Sequence, residues 1–190
     1  MKNDIILSGV GGQGILTIAA MVGHAAVEAG LHVKQSEVHG MAQRGGAVVA
    51  HLRLSDETIY SDLIPAGGAD VVLGVEPMEA LRHASQLAPG GALLANTVPV
   101  RNIEYPEVED ILAQLRALPR SVVFDADEVA RQAGNARAMN MVMLGALTAF
   151  LAFPEGVFEA LIRETFAAKG EKVVETNLKA LAAGRAAVQE

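Results

Sequence analysis

The sequence has 190 residues, with 15 Lys plus Arg against 22 Asp plus Glu, a formal net charge of −7. That length suits one domain over residues 1–190, and 51% apolar residues supply a core, which excludes low-complexity disorder. The acidic balance, with no basic stripe, argues against nucleic acid as a partner, and the absence of cysteine removes disulfides, iron–sulfur ligation, thiolate zinc sites and cysteine nucleophiles.

The chain opens Met-Lys-Asn-Asp and runs directly into a strand-like segment, without an export signal. Its most apolar stretch, Met139 to Phe153, is too short for a bilayer and reads as a buried helix. The expectation is a cytoplasmic protein that does not engage membranes.

Strand and helix signals alternate along the chain. Asp4 to Ser8 is a short apolar run closed by glycines, the pattern of a strand covered on both faces. Ile15, Ile18, Ala19, Val22 and Ala26 recur at helical spacing, with Gly30 where a C-terminal cap belongs. His32 to Glu37 is a second strand, and Ala47 to Leu54 alternates like a strand with one wetter face. Thr58 to Tyr60 is expected to pair back on it as a hairpin. Ala69 to Val75 is another buried strand, and Pro77 opens a helix to about Leu87. Pro89-Gly-Gly91 turns into the strand Ala92 to Ala95.

Ile111 to Leu118 reads as a helix and Val122 to Phe124 as a short strand, with Asp125 or Asp127 capping a helix to about Ala133. Asn140 to Phe153 and Glu155 to Ala168 are further helices, and Glu171 to Val188 is one more, interrupted at Gly184. Repeated βα units predict a three-layer α/β/α, Rossmann-like domain with a mostly parallel sheet, and the alternating strand near Ala47 makes that sheet mixed.

Two loops carry the chemistry. Gly9-Val-Gly-Gly-Gln-Gly14 matches G-x-G-x-x-G between a strand and a helix. Gly9 would permit the tight turn, Gly11 a close approach to the backbone, and Gly14 close packing of helix on strand. The free N–H groups at the helix start, with the dipole behind them, suit phosphate. A nicotinamide site also needs an acid about 20 residues on, to hold the ribose. That count from Gly14 reaches Lys34, and Glu37 lies three residues further. A tight turn that binds nothing fits the motif nearly as well.

The second loop, His39-Gly-Met-Ala-Gln-Arg-Gly-Gly46, ends in two glycines and offers His39, Gln43 and Arg44 as donors to an anion or to a partner's backbone. It follows the second strand, so it is expected beside residues 9–14 at the carboxyl edge of the sheet, forming one anion-friendly rim.

Gly9-Val-Gly-Gly-Gln-Gly-Ile-Leu16, Ser36-Glu-Val-His-Gly-Met-Ala-Gln-Arg-Gly-Gly46, Glu76-Pro-Met-Glu-Ala-Leu-Arg82 and Asn96-Thr97 follow in that order. Together they resemble the small subunit of the 2-oxoacid:ferredoxin oxidoreductases. The second segment is most similar to the beta subunit of the indolepyruvate enzyme, and it also resembles the gamma subunit or domain of the pyruvate enzyme. The resemblance runs to about Leu147 and is weakest over Val98 to Arg120. It implies a non-catalytic subunit of an enzyme that converts a 2-oxoacid and coenzyme A to an acyl-CoA, carbon dioxide and reduced ferredoxin. Thiamine diphosphate, magnesium and iron–sulfur clusters would lie in a large partner subunit, ferredoxin would meet the complex, and aryl pyruvates would be the substrates. The pyruvate or 2-oxoglutarate type is the nearest alternative within the family.

On this reading Gly11, Gly12, Gln13 and Arg44 face the shared cleft and hold the coenzyme A phosphates, with His39 and Gln43 orienting the loop; docking alone would account for the loop equally well. Glu76 and Asn96 end neighbouring strands and join the candidates, although a Glu in the place of Glu76 more often simply caps the following helix, and Asn96 would equally form a turn. Asn140, on an apolar helix, is expected to be buried in a structural role. The methionines read as core packing, His24, His32, His51 and His83 as surface or satisfied histidines, and Glu104 to Asp110 as a solvated face. Two other function classes remain open: a self-contained NAD(P)- or flavin-dependent oxidoreductase using the glycine loop, and an assembly module with a vestigial nucleotide fold. Self-association is expected from the apolar content.

Overall fold

The computed structural model describes residues 1–40, 45–101 and 104–188. Its strands and helices, in chain order, are β1 (Lys2–Val10), α1 (Ile15–Glu28), β2 (His32–His39), β3 (Ala47–Ser55), β4 (Ala69–Gly74), α2 (Pro77–His83), β5 (Leu87–Asn96), α3 (Val108–Arg116), β6 (Ser121–Phe124), α4 (Ala126–Gln132), α5 (Met139–Thr148), α6 (Val157–Phe166) and α7 (Glu171–Ala186).

The strands form one sheet in the order β2-β3-β1-β4-β5-β6. β1, β4, β5 and β6 pair in parallel, while β3 runs antiparallel to both β1 and β2. The sheet is therefore mostly parallel and mixed, as the sequence predicts. Alternate residues of the central strands feed opposite layers. Ile5, Leu7, Ala50, Leu52, Val71 and Leu73 pack under α1 and the helices α4 to α7. Ile6, Val72, Leu93 and Ala95 pack against Ala80 of α2 and Ile111, Leu112 and Leu115 of α3. Met21, Met141 and Met143 lie in the core. No helix among the described residues is long and apolar enough to cross a membrane.

Several expectations need correcting. Thr58 to Tyr60 pair with nothing as a strand. The reason is topological: β3 has β1 on one side and β2 on the other, so no edge is left for a hairpin partner. The residues that follow, Ser61 to Ile64, are instead strapped to β3 by its side chains. Arg53 Nη1 donates to the carbonyls of Ser61 and Leu63, both at 3.1 Å, and the Ile64 N–H donates to His51 Nδ1 at 3.1 Å. α2 stops at His83, because a 3₁₀ turn over Ala84–Gln86 leads straight into β5. The Pro89 to Gly91 turn lies inside β5, where the register against β4 shifts.

Gly184 does not interrupt α7. A Cβ there would collide with the Val142 carbonyl, and one on Gly145 would collide with the Leu181 carbonyl, so this glycine pair lets α5 and α7 touch backbone to backbone. Asp125, not Asp127, caps α4, its carboxylate accepting from the Glu128 N–H at 2.7 Å. Asn140 is half-buried rather than buried. The residues Glu104, Glu107, Glu109 and Asp110 are exposed, as expected of a solvated face.

Candidate functional site

β1 and β2 end at the same edge of the sheet, and β3 begins there, so the two loops meet. The Gly11 N–H donates to the Gly46 carbonyl at 2.8 Å, the Gly45 N–H donates to the Gly11 carbonyl at 3.5 Å, and the Gly40 N–H donates to the Ala47 carbonyl at 3.2 Å. The expected rim is thus a backbone-to-backbone seam. Gln43 and Arg44 fall outside the described residues; His39, Gly40, Gly45 and Gly46 flank them.

Within the glycine loop, Gly12 (φ +102°) and Gly14 (φ +81°) occupy backbone conformations that side-chain-bearing residues rarely adopt. Gly14 is the residue that leads into α1, and it caps the helix with no side chain. The N–H groups of Ile15 and Leu16 fall in the first turn, where a helix supplies no acceptor, and the positive end of its dipole is concentrated there. Gly9 works differently from expectation. Its φ is not left-handed, and a Cβ on it would collide with the Val75 side chain and lie 2.8 Å from Gln13 Oε1. Close packing, not turn geometry, is what requires glycine at this position.

Beside this seam lies a cavity of about 480 Å³, within the range of small-molecule sites, lined by Gly11, Gly12, Gly14, Ile15, Leu16, Thr17, His39 and Val48, with Val10 at its base. Its described lining holds no carboxylate and no Lys or Arg. The described lining thus brings the start of α1, Thr17 and the exposed His39 together, with no negative charge among them to oppose an anion. Leu16, Thr17 and Val48 are additions that sequence reasoning missed. Each is unremarkable in type, and only the fold brings it to the rim.

The other candidates sit at the same sheet edge, but their polar atoms are taken. Gln13 Oε1 accepts from the Val10 N–H at 2.8 Å, and Gln13 Nε2 donates to the Val75 carbonyl at 3.1 Å. Asn96, wholly buried, donates through Nδ2 to the Val75 carbonyl at 3.3 Å and to Asp127 Oδ2 at 2.8 Å, while its Oδ1 accepts from the N–H groups of Ala126 and Val98. Glu76, 1% exposed, accepts from the Glu79 N–H at 2.9 Å, the Tyr105 hydroxyl at 2.6 Å and the Val100 N–H at 3.3 Å. These three side chains frame the rim; they do not line the cavity.

Burial and the hydrogen bond to Glu76 push the Tyr105 hydroxyl far above the usual phenol range, so it stays a donor. Burial likewise raises the Glu79 carboxyl, with Arg82 opposing and Glu76 reinforcing the shift. No sequence signal marked Tyr105 as a partner of Glu76.

Strand order also bears on a nicotinamide reading. The ribose-binding acid of such units ends the strand beside β1. Here that neighbour is β3, and the exposed Glu37 lies on β2, about 10 Å from β1 at normal strand spacing. The side chain of Gln13 already bridges the ends of β1 and β4.

Comparison with known proteins adds to this geometry. The family model described as pyruvate ferredoxin/flavodoxin oxidoreductase matches residues 4–187. Indolepyruvate oxidoreductase subunit IorB of Archaeoglobus fulgidus is 42% identical over 194 aligned positions, which cover 97% of this chain and 94% of that protein. Among solved structures, pyruvate oxidoreductase subunit PORC from Thermotoga maritima superposes with a TM-score of 0.73 at 27% identity, covering 96% of this chain and 94% of that one. A 2-oxoglutarate:ferredoxin oxidoreductase from Magnetococcus marinus, solved with 2-oxoglutarate, coenzyme A and succinyl-CoA bound, shares the fold with a TM-score of 0.77 at 24% identity; the match covers 99% of this chain and 31% of that one.

Proposed function

This chain belongs to the pyruvate ferredoxin/flavodoxin oxidoreductase family, and we propose that it is the non-catalytic small subunit of an indolepyruvate:ferredoxin oxidoreductase. In that role its two-loop rim holds the phosphates of coenzyme A against a reaction centre carried by a larger partner subunit. Thiamine diphosphate, magnesium and iron–sulfur clusters belong to that partner. This chain has no cysteine with which to ligate a cluster. Bound in the partner, thiamine diphosphate supplies the carbanion chemistry of decarboxylation, and ferredoxin takes the electrons from the complex.

The observation that carries the proposal is the cavity at the start of α1. A pocket of about 480 Å³, with no carboxylate among its described lining residues, is bordered by the left-handed Gly12 and Gly14 and by the first-turn residues Ile15 and Leu16. Backbone N–H groups fixed in this way bind phosphate without being deprotonated and without reorganising. His39 and Thr17, which line the same cavity, add a ring nitrogen and a hydroxyl. By its residue type and its place in the His39–Gly46 motif we assign Arg44 to the phosphates as well, with Gln43 orienting the loop. The aryl-pyruvate assignment rests on the 42% identity to an indolepyruvate oxidoreductase subunit.

Reconstitution tests the proposal. The chain is expressed with and without its larger partner, and CoA-dependent reduction of an electron acceptor is followed with indolepyruvate, phenylpyruvate and pyruvate. Turnover of the aryl pyruvates only when both chains are present is expected. In that complex Arg44→Ala should raise the KM for coenzyme A by about tenfold, the loss of one charge-assisted contact. An unchanged KM would remove Arg44 from the site. Pyruvate as the preferred substrate would overturn the indolepyruvate assignment, and tight nicotinamide or flavin binding by the isolated chain would favour a self-contained oxidoreductase.

A further inference from the structure

The Val75 carbonyl, one residue past the end of β4, accepts from two side-chain amides that reach it from different neighbouring strands. Gln13 Nε2 comes from the loop after β1 at 3.1 Å, and Asn96 Nδ2 comes from the end of β5 at 3.3 Å. We propose that Gln13 is a positioning residue and not a ligand. Through the Val75 carbonyl, which Asn96 holds in place, Gln13 sets the glycine loop in its binding shape before coenzyme A arrives. This rests on the reading of the rim as a coenzyme A site.

The need for such a device follows from the loop's composition. Gly9 to Gly14 contains four glycines, and glycine loses more backbone freedom on ordering than any other residue. A ligand that had to order the loop would bind more weakly by the fraction of time the loop is competent. Gln13 does that ordering internally. Its carbonyl oxygen accepts from the N–H of Val10, three residues back, while its own N–H donates to the Val10 carbonyl at 3.2 Å, so side chain and backbone close the loop on itself. Its amide nitrogen then pins the closed loop to β4. Gly9 completes the knot, since a Cβ there would collide with Val75 and press on Gln13 Oε1. Asn96 is fixed in turn by Asp127 and by the N–H groups of Ala126 and Val98, so the anchor reaches α4 on the far side of β5. Both polar ends of Gln13 are engaged in this network.

The experiment uses the reconstituted two-subunit enzyme, with the KM for coenzyme A, the KM for the 2-oxoacid, kcat and Tm measured for each variant. Gln13→Met keeps the side-chain length and removes both bonds; the KM for coenzyme A should rise by about tenfold, the worth of roughly one net hydrogen bond, with the 2-oxoacid KM and kcat unchanged. Gln13→Asn keeps the amide and adds no charge but is one methylene too short to hold the Val10 N–H and the Val75 carbonyl together, so it should raise the KM for coenzyme A in the same direction as Gln13→Met, and it carries the test alone if Gln13→Met does not assemble.

Gly12→Ala, which strains the loop without touching the clamp, separates the two claims. If Gly12→Ala raises the KM for coenzyme A and the Gln13 variants do not, the clamp is overturned and the site reading stands. If neither changes it, the site reading fails and the clamp falls with it. A Gln13 variant that lowers Tm and raises both KM values in parallel would reduce the residue to a structural role and overturn the proposal.

Discussion

Glycine does two different jobs at two places in this molecule. At the sheet edge, Gly12 is glycine because of dihedral angle: its φ is +102°, a Cβ on it would meet nothing within 4 Å, and it leaves backbone beside the cavity, whereas Gly14 (φ +81°) also packs against Asn140 of α5. Between α5 and α7, Gly145 and Gly184 are glycine because of volume. Their φ values are ordinary, but a Cβ on either would run into a carbonyl of the opposite helix. Gly12 keeps surface open, and the Gly145–Gly184 pair closes it. One residue type therefore gives two mutational signatures, one read in binding and the other in stability.

The largest effect tests the closed pair. Gly145→Val should cost about 3 kcal/mol from overpacking against the Leu181 carbonyl, lowering Tm by roughly 6–12 °C in a calorimetric scan. Its KM for coenzyme A in the reconstituted complex should not move. A variant as stable as the parent would show that the helices part without cost and would dissolve the contrast.

At Gly12 the balance inverts. Gly12→Ala should lose only about 1 kcal/mol of stability, the usual penalty for a side chain in a left-handed conformation, while weakening coenzyme A binding by about tenfold. Wild-type affinity with a large Tm loss would move Gly12 into the same class as Gly145.

The smallest effect concerns the strap beside β3. Burial and the neighbouring Arg53 hold His51 below its ordinary value, and burial, His51 and Arg82 do the same for His83. A histidine whose folded value is depressed binds protons more tightly when unfolded, so stability is fully present above about pH 6.5 and declines as the pH falls below it. His51 accepts the Ile64 N–H, so hydrogen exchange over residues 61–64 should quicken on that acid side. Exchange there that is insensitive to pH, once intrinsic rates are corrected, would exclude His51 as the latch.

Much of the fold was legible in the sequence because its signals are local. The apolar runs at Ile5 to Leu7 and Val71 to Leu73 and the helical spacing from Ile15 to Ala26 depend only on neighbours along the chain, and so does the Pro77 start of α2. Pairing is not local. Nothing in residues 58–60 reveals that both edges of β3 are already occupied, and nothing at Gly184 reveals that Val142 lies above it.

The same division runs through the site. The two glycine-rich loops were readable, and that they meet followed from each coming after a strand of like direction. The polar candidates were recognised as belonging to that edge, but the roles of Gln13, Glu76 and Asn96 depend on Val75, Tyr105 and Asp127. The first acts through a main-chain carbonyl, which its residue type does not disclose.

The central claim is that the 9–14 and 39–46 segments form one coenzyme A site in the assembled enzyme. Hydrogen exchange on the reconstituted two-subunit complex, with and without coenzyme A, tests it most directly. The account predicts slowed exchange concentrated over residues 11–17 and 39–48. Protection that falls elsewhere in this chain, or none in this chain at all, would contradict it.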